Sequence, residues 1–148
     1  ALEIAACGSL TRTPQPTPGI TYASKIEKSE SAINWQLGAA QIERNIRAFA
    51  PSPGCTAVLR GEVVKLCAAQ MMHPDYYIIC YIFNSTRRSI DAGYPLILIL
   101  NHDGIDVQCS ADPLDILRIT ELQRAGGKRM SAAEFLRGFP LQVGERFE

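Results

Sequence analysis

The first clear pattern in the chain is a helical periodicity. Apolar residues recur between Trp35 and Phe49 at intervals of four, three, four and three positions, which places them on one face of a helix. A Pro-Ser-Pro-Gly sequence at residues 51–54 follows directly, and proline neither continues a helix nor leaves the residue before it helical. The pattern therefore predicts an amphipathic helix over residues 35–49 with a polar opposite face.

Short runs rich in β-branched residues follow this helix, and turn residues such as Arg60-Gly61 separate them. No helical pattern lies between the runs, which is typical of a small antiparallel barrel. One run, residues 76–83, does not alternate between apolar and polar positions, so we expect it to be buried on both faces or to lie against a neighbour. The predicted strands are residues 56–60, 62–68, 76–83, 96–100, 104–109 and 115–122.

A second helix signal lies near the C-terminus. Ser131 followed by Glu134 is a capping box, which satisfies two otherwise free amide donors at the start of a helix. Gly138 and Pro140 end the pattern, so we expect a short helix over residues 131–137. The sequence thus predicts a mainly β fold, a small antiparallel barrel with an N-terminal helix and a short C-terminal helix.

The first part of the chain has a different composition. Residues 8–19, GSLTRTPQPTPG, contain three prolines and two glycines, which predicts a semi-rigid linker. Residues 1–7 resemble the last turns of a helix, so we expect the chain to be a fragment of a longer protein. These patterns divide the chain into residues 1–19, a helix end plus linker, and residues 20–148, a single globular domain.

Composition excludes several classes of protein. The hydrophobic fraction of 47% and the charged fraction of 20% are typical of an ordinary globular protein. The five cysteines are scattered without a C-x-x-C pair, which argues against a disulfide framework and against a zinc site and favours a reducing cytoplasm. The same cysteine spacing gives no reason to expect a bound metal. The apolar runs are too short to span a bilayer, so we expect no membrane segment.

The formal net charge is zero, but the charges are unevenly distributed along the chain. Residues 1–74 carry seven Lys/Arg and five Asp/Glu, residues 75–115 carry two and six, and residues 116–148 carry six and four. If the two ends meet in space, they could form a basic face, although ordinary solvated surface charge would give the same composition.

Two stretches carry a family resemblance. Residues 19–54, GITYASKIEKSESAINWQLGAAQIERNIRAFAPSPG, and residues 119–138, ITELQRAGGKRMSAAEFLRG, resemble the C-terminal domain of methionyl-tRNA formyltransferases in motif and order. Residues 71–100 depart from the family because they lack its usual A-P-G-T-I turn and strand. This departure leaves the strand pairing there, and the oligomeric state, open.

The resemblance implies an OB-like barrel joined by a linker to a Rossmann-type catalytic domain. That domain transfers a formyl group from 10-formyltetrahydrofolate to methionyl initiator tRNA, with an asparagine, a histidine and an aspartate around the formyl group. Their motif is absent from this sequence, and His73 and His102 lie in predicted loops. We therefore expect no catalytic residue and no cofactor in this fragment, whose partners would be the initiator tRNA and its own N-terminal catalytic domain.

The residues expected to contact RNA are basic. A module that recognises RNA by its shape needs Lys and Arg on a rigid face, because phosphates dominate what RNA helices present. Arg44 and Arg47 lie about one turn apart on the polar side of the predicted helix, and an ion pair with Glu43 is the structural alternative. For Trp35, core packing is favoured over base stacking. The candidate RNA-binding residues are Lys25, Lys28, Arg44, Arg47, Lys128 and Arg129.

Two other functions stay open at this point. Formyltransferases that act on a sugar nucleotide or handle folate carry a similar C-terminal barrel, although the I-R-A-F-x-P-x-P-G and K-x-M-S-A motifs favour the tRNA enzyme. Alternatively, the unusual central strands could serve dimerisation or a scaffolding role.

Overall fold

The structure is a computed structural model of the chain, and it describes residues 14, 16, 18–73, 95–112 and 114–148. A short 3-10 turn, Lys28–Ser31, precedes the first helix. No helix in these ranges is long and apolar enough to cross a membrane. The elements that follow the turn are α1 (Ala39–Phe49), β1 (Cys55–Leu59), β2 (Glu62–Met71), β3 (Leu96–Leu100), β4 (Ile105–Gln108), β5 (Ile116–Arg124), β6 (Arg129–Ser131) and α2 (Ala132–Gly138).

The described strands form a six-stranded sheet in which every pairing is antiparallel. The order is β1-β2-β5-β4-β3, and β6 also pairs with β5. One side of β5 pairs with β2 along almost its whole length. The other side pairs first with β4 and then with β6. The prediction of a mainly β, antiparallel fold with two helices is confirmed for the described residues.

Strand pairing does not close this sheet, since β1 and β3 are the two ends of the path. The C-terminal segment, residues 144–148, lies between these two edges. Val58 and Glu148 exchange two backbone hydrogen bonds with N–O distances of 2.8 and 3.2 Å. On the other side, the amide of Ile97 donates to the carbonyl oxygen of Glu145 at 2.8 Å. The last residues of the chain therefore connect the two open edges of the sheet.

The hydrophobic core lies between the sheet and the two helices. Ala39, Ile42 and Ile46 form the buried face of α1, as the periodicity predicted. Phe135 of α2 is 1% exposed and belongs to the same core. The buried sheet residues of this core are Cys55, Ala57, Leu59, Val64, Leu66, Ile97, Ile105, Val107, Leu117, Ile119 and Leu122.

The predicted start of the first helix at Trp35 was wrong, because α1 begins at Ala39. The residues before it form a turn, in which the amide of Leu37 donates to the carbonyl oxygen of Asn34 at 3.1 Å. Asp115 Oδ1 accepts a hydrogen bond from the amide of Ala39 at 2.8 Å, so a side chain distant in sequence satisfies one donor at the helix start. Trp35 is nevertheless buried, which confirms its predicted place in the core.

The five predicted strands that lie within the described residues are confirmed except at their ends. β2 continues to Met71 and β5 to Arg124, beyond the predicted limits, and β6 was not predicted at all. The capping box is confirmed, since Ser131 and Glu134 each accept a hydrogen bond from the other's amide. The predicted strand 76–83 lies outside the described residues. Residues 1–19 lie almost wholly outside them, so the boundary after residue 19 stays a prediction.

Candidate nucleic-acid interface

The six candidate residues occupy three places in the fold, and all of them are exposed. Lys25 lies in the extended segment before the 3-10 turn, and Lys28 begins that turn. Arg44 and Arg47 lie on α1. The remaining two lie at the hairpin between β5 and β6, where Lys128 precedes β6 and Arg129 begins it.

On α1 the two arginines have polar neighbours on the helix itself. Arg47 Nη1 lies 3.2 Å from Glu43 Oε1, one turn earlier. Arg44 Nη1 donates to Gln41 Oε1 at 3.3 Å. The alternative weighed for the sequence, an ion pair with Glu43, is therefore present at Arg47. An exposed pair of this kind is worth only about 0–1 kcal/mol, so a phosphate can compete with the carboxylate for the arginine.

The hairpin that carries Lys128 and Arg129 is held by its own hydrogen bonds. The amide of Gly127 donates to the carbonyl oxygen of Arg124 at 2.9 Å, and Gln123 Nε2 donates to the carbonyl oxygen of Gly127 at 2.8 Å. Arg129 forms an ion pair with Glu121 on the neighbouring strand. The hairpin thus presents two adjacent cations from a fixed backbone, and one of them is already paired.

A basic residue that the sequence reasoning missed lies between these groups. Lys65 of β2 stands directly opposite Thr56 of β1 and Gln123 of β5, and Gln123 in turn stands opposite Arg129 of β6. Residues directly opposite each other in a sheet project from the same face. Thr56, Lys65, Gln123 and Arg129 therefore form one row across four strands, here called the polar row.

The polar row lies on the outer face of the sheet. Val64 and Leu66, the neighbours of Lys65 in β2, are both 1% exposed and face the core, so Lys65 faces outward. The alternation of apolar and polar residues in the predicted strand 62–68 could have identified Lys65. Its distance in sequence from the family motifs is the reason that it was left out.

Two further contacts attach the other candidate groups to the polar row. Lys65 Nζ donates to the carbonyl oxygen of Pro51 at 2.8 Å, at the turn that ends α1. Next to Lys65 in the row, the carbonyl oxygen of Thr56 accepts a hydrogen bond from the amide of Ile33 at 2.9 Å, and Thr56 Oγ1 donates to the carbonyl oxygen of Ser31 at 3.4 Å. The 3-10 turn, the end of α1 and the β5–β6 hairpin are thus all anchored along one row.

Burial affects two thiols in or next to the sheet, Cys67 and Cys109. Burial raises the pKa of the Cys109 thiol to about 12. Burial also raises the pKa of the Cys67 thiol, although the charges of Arg129 and Lys65 act to lower it. Both cations are therefore close enough to act on the same thiol. No group of three or more His, Cys, Asp or Glu side chains that could hold a metal occurs in the described ranges.

The histidines are placed as the sequence predicted. His73 is exposed directly after β2, and His102 is exposed in the turn between β3 and β4. His102 Nε2 lies 3.1 Å from Asp103 Oδ1, a side chain of the same turn. Neither histidine lies on the polar row.

Comparison with known families decides the identity of the domain. The model of the formyl transferase C-terminal domain matches residues 25–140. The chain belongs to this family. The matched range begins in the extended segment before the 3-10 turn and ends just after α2, so it includes α1 and every described strand.

This formyl transferase C-terminal domain is similar to named relatives over nearly its full length. It is 47% identical over 144 residues to the methionyl-tRNA formyltransferase of Acidovorax ebreus, covering 97% of this chain and 40% of the relative. It is 43% identical over 149 residues to that of Paracidovorax citrulli, covering 97% and 41%. For Ralstonia nicotianae the identity is 40% over 145 residues, covering 98% and 39%. The chain thus spans about two fifths of the length of these relatives.

Solved structures share the fold of the domain at lower identity. A variant of HypX from Aquifex aeolicus superposes with a TM-score of 0.63 at 18% identity, covering 97% of this chain and 23% of HypX. HypX in complex with tetrahydrofolic acid gives the same TM-score at 20% identity, covering 97% and 22%. At this level of identity the similarity shows the fold alone.

Proposed function

We propose that this domain is the RNA-binding module of a methionyl-tRNA formyltransferase. In this proposal it holds the initiator tRNA by its sugar-phosphate backbone, without reading the base sequence. A catalytic domain elsewhere in the parent protein then transfers the formyl group from 10-formyltetrahydrofolate to the methionyl-tRNA for translation initiation in the cytoplasm. The 148-residue chain by itself is inactive, because the expected catalytic asparagine, histidine and aspartate belong to that other domain.

The observation that carries this proposal is the similarity to enzymes named for this substrate. Three relatives at 40–47% identity, each aligned over 97–98% of this chain, are called methionyl-tRNA formyltransferase. Their names favour the tRNA enzyme over a formyltransferase that acts on a sugar nucleotide. For the formyl donor, the HypX structure with tetrahydrofolic acid supports a folate only through its shared fold.

The arrangement of charge suits binding to a phosphate backbone. A duplex RNA surface is recognised mostly through its phosphates and hydroxyl groups, so cations on a rigid scaffold are sufficient. Here the cations lie on a helix and a hairpin that are both anchored along the polar row. Two partly buried acids, Glu43 and Glu121, already pair with Arg47 and Arg129, so we expect moderate affinity with strong salt dependence.

A titration of the 148-residue chain against initiator tRNA tests the proposal. We expect the affinity to fall steeply between about 50 mM and about 200 mM salt, because each phosphate contact releases counterions. The double variant Arg44→Ala/Arg47→Ala should weaken binding and reduce the salt slope by about 1 to 2. The charge-matched control is Arg137→Ala/Arg146→Ala, which removes two arginines outside α1 and outside the polar row.

Three results would count against the proposal. Binding that ignores salt would exclude a backbone-binding surface. The absence of binding at low salt would mean that this domain contributes no RNA affinity of its own. Equal losses from the double variant and from two unrelated charge removals would mean that only net charge matters, and not the α1 face.

A further inference from the structure

Lys65 differs from the other described cations of the sheet in its partners. The arginines on the strands and at their turns each form an ion pair: Arg60 with Glu145, Arg118 with Asp106, Arg124 with Glu62 and Arg129 with Glu121. Within the described ranges, Lys65 has no carboxylate partner. Its ammonium group instead donates to a backbone carbonyl oxygen, that of Pro51.

The outer part of the Lys65 side chain lies against Gly54. A Cβ atom on Gly54 would lie 1.8 Å from Lys65 Cε and 2.6 Å from Nζ, so the lysine stem occupies the space that a side chain at Gly54 would fill. Gly54 also has a positive φ of 79°, a backbone conformation that L residues rarely adopt. The absence of a side chain at Gly54 therefore leaves the space in which the Lys65 ammonium group reaches the carbonyl oxygen of Pro51.

A lysine ammonium group has three donors, and the carbonyl oxygen of Pro51 uses one of them. Two donors and a full positive charge are left. They lie where the end of α1 reaches the polar row, and Arg129 lies two strands further along that row. Two strand spacings place the Cα atoms of Lys65 and Arg129 about 10 Å apart on one face.

We infer that Lys65 binds a phosphate of the RNA backbone and joins the cations of α1 to those of the β5–β6 hairpin in one continuous surface. This inference rests on the RNA-binding function proposed above. Lys65 lacks a competing acid, whereas Arg47 and Arg129 must each leave a carboxylate to reach a phosphate. The lysine therefore contributes to the salt-dependent affinity of the domain without first breaking an ion pair.

The alternative role of Lys65 is purely structural, because its ammonium group hydrogen-bonds the turn that ends α1. The salt slope separates the two roles. A phosphate contact contributes about one unit of slope, and its removal lowers the slope by that amount. Loss of a structural hydrogen bond lowers thermal stability and leaves the salt slope of the folded fraction unchanged.

The test uses the 148-residue chain and an initiator tRNA transcript at about 50 mM and about 200 mM salt. Lys65→Met keeps the stem against Gly54 and removes the charge, and Arg146→Met is the charge-matched control outside the polar row. We expect Lys65→Met to weaken low-salt binding about five- to ten-fold and to lower the slope by about one unit. Arg146→Met should change the affinity less than about two-fold.

Two more variants keep the inference falsifiable if Lys65→Met does not fold. Lys65→Gln keeps a donor for the carbonyl oxygen of Pro51 but removes the charge, and it should also lower the slope. Lys65→Arg keeps the charge and should retain the slope. If the unaltered chain binds while folded Lys65→Met or Lys65→Gln matches the control in affinity and slope, Lys65 makes no phosphate contact. If the unaltered chain itself shows no salt-dependent binding, the RNA-binding function fails, and this inference fails with it.

Discussion

Phe147 stacks against Trp35 in the core, with ring centroids 5.2 Å apart and planes inclined by 34°. The two residues are 2% and 6% exposed, although one is the penultimate residue of the chain and the other lies in the turn before α1. Phe147 reaches the core because the C-terminal segment runs between β1 and β3, the two edges of the sheet. The contact therefore joins the beginning and the end of the described domain.

The first prediction concerns this contact. Phe147→Ala should lower the free energy of unfolding by about 3–5 kcal/mol, because it leaves a cavity beside Trp35 and releases the segment that bridges the sheet edges. Urea denaturation followed by tryptophan fluorescence measures both effects, since Trp35 is the single tryptophan of the chain. Val143→Ala, at a side chain that is 47% exposed, is the control. Equal stability of the two variants would show that the C-terminal segment does not contribute to the core.

The second prediction concerns the buried ion pair between Asp106 and Arg118. Arg118 Nε and Nη2 donate to the two carboxylate oxygens at 2.6 and 2.8 Å, from directly opposite positions on β4 and β5. Removal of Asp106 takes the two-hydrogen-bond carboxylate partner away from a buried guanidinium group, so Asp106→Ala should lower the free energy of unfolding by about 3–5 kcal/mol. Equilibrium urea denaturation gives this value.

A double variant shows whether charge or packing carries the effect. Asp106→Leu/Arg118→Met replaces the pair with apolar side chains and should be more stable than Asp106→Ala, because no buried charge remains at this position. If the double variant loses as much stability as the sum of the two single variants, shape at this position matters more than the compensation of charge.

Much of the fold could be predicted because local patterns determine it. The buried face of α1 follows from its periodicity, and the capping box of Ser131 and Glu134 works within four residues. The start of α1 could not be predicted, since the donor at Ala39 is satisfied by Asp115, 76 positions away. β6 has only three residues and exists because β5 extends far enough to pair with it.

The candidate site was predicted less completely than the fold, for a related reason. Arg44, Arg47, Lys128 and Arg129 lie within contiguous motifs and could be selected from the sequence. The outward position of Lys65 could be inferred from the alternation in its strand, but its neighbours in the polar row follow only from the strand register, because they come from β1, β5 and β6. That these four residues, together with Lys25 and Lys28, contact RNA stays a prediction.

The third prediction concerns stability in acid. Hydrogen bonds from Arg60 hold the pKa of Glu145 below its usual value of 4.5, helped by the backbone amide of Gln142. A carboxylate with a lowered pKa in the folded state stabilises the fold at neutral pH, and this contribution is lost as the pH falls below about 4.5 toward the folded-state pKa. The melting temperature of the unaltered chain should therefore decline between about pH 5 and about pH 3.

Glu145→Gln should flatten this decline, because the altered side chain does not titrate. Arg60→Gln should flatten it as well, since it removes the partner that lowers the pKa of Glu145. The double variant Arg60→Gln/Glu145→Gln should then show nearly the same decline of the melting temperature in acid as Arg60→Gln alone. Thermal melts across the pH range measure all four proteins. A decline of the melting temperature that stays equally steep in Glu145→Gln would assign the loss of stability in acid to other carboxyl groups.

The last prediction concerns two variants that should strengthen RNA binding. Glu43 and Glu121 pair with Arg47 and Arg129, so each acid competes with a phosphate for its arginine. Glu43→Gln and Glu121→Gln should therefore tighten binding of initiator tRNA, by about two- to five-fold at low salt, which corresponds to an exposed ion pair of up to about 1 kcal/mol.

Glu148→Gln makes the same change in net charge at the C-terminal segment and serves as the control. If all three variants tighten binding equally, net charge alone governs the affinity. A larger effect at Glu43 and Glu121 than at Glu148 would mean that release of these two arginines is what RNA binding requires.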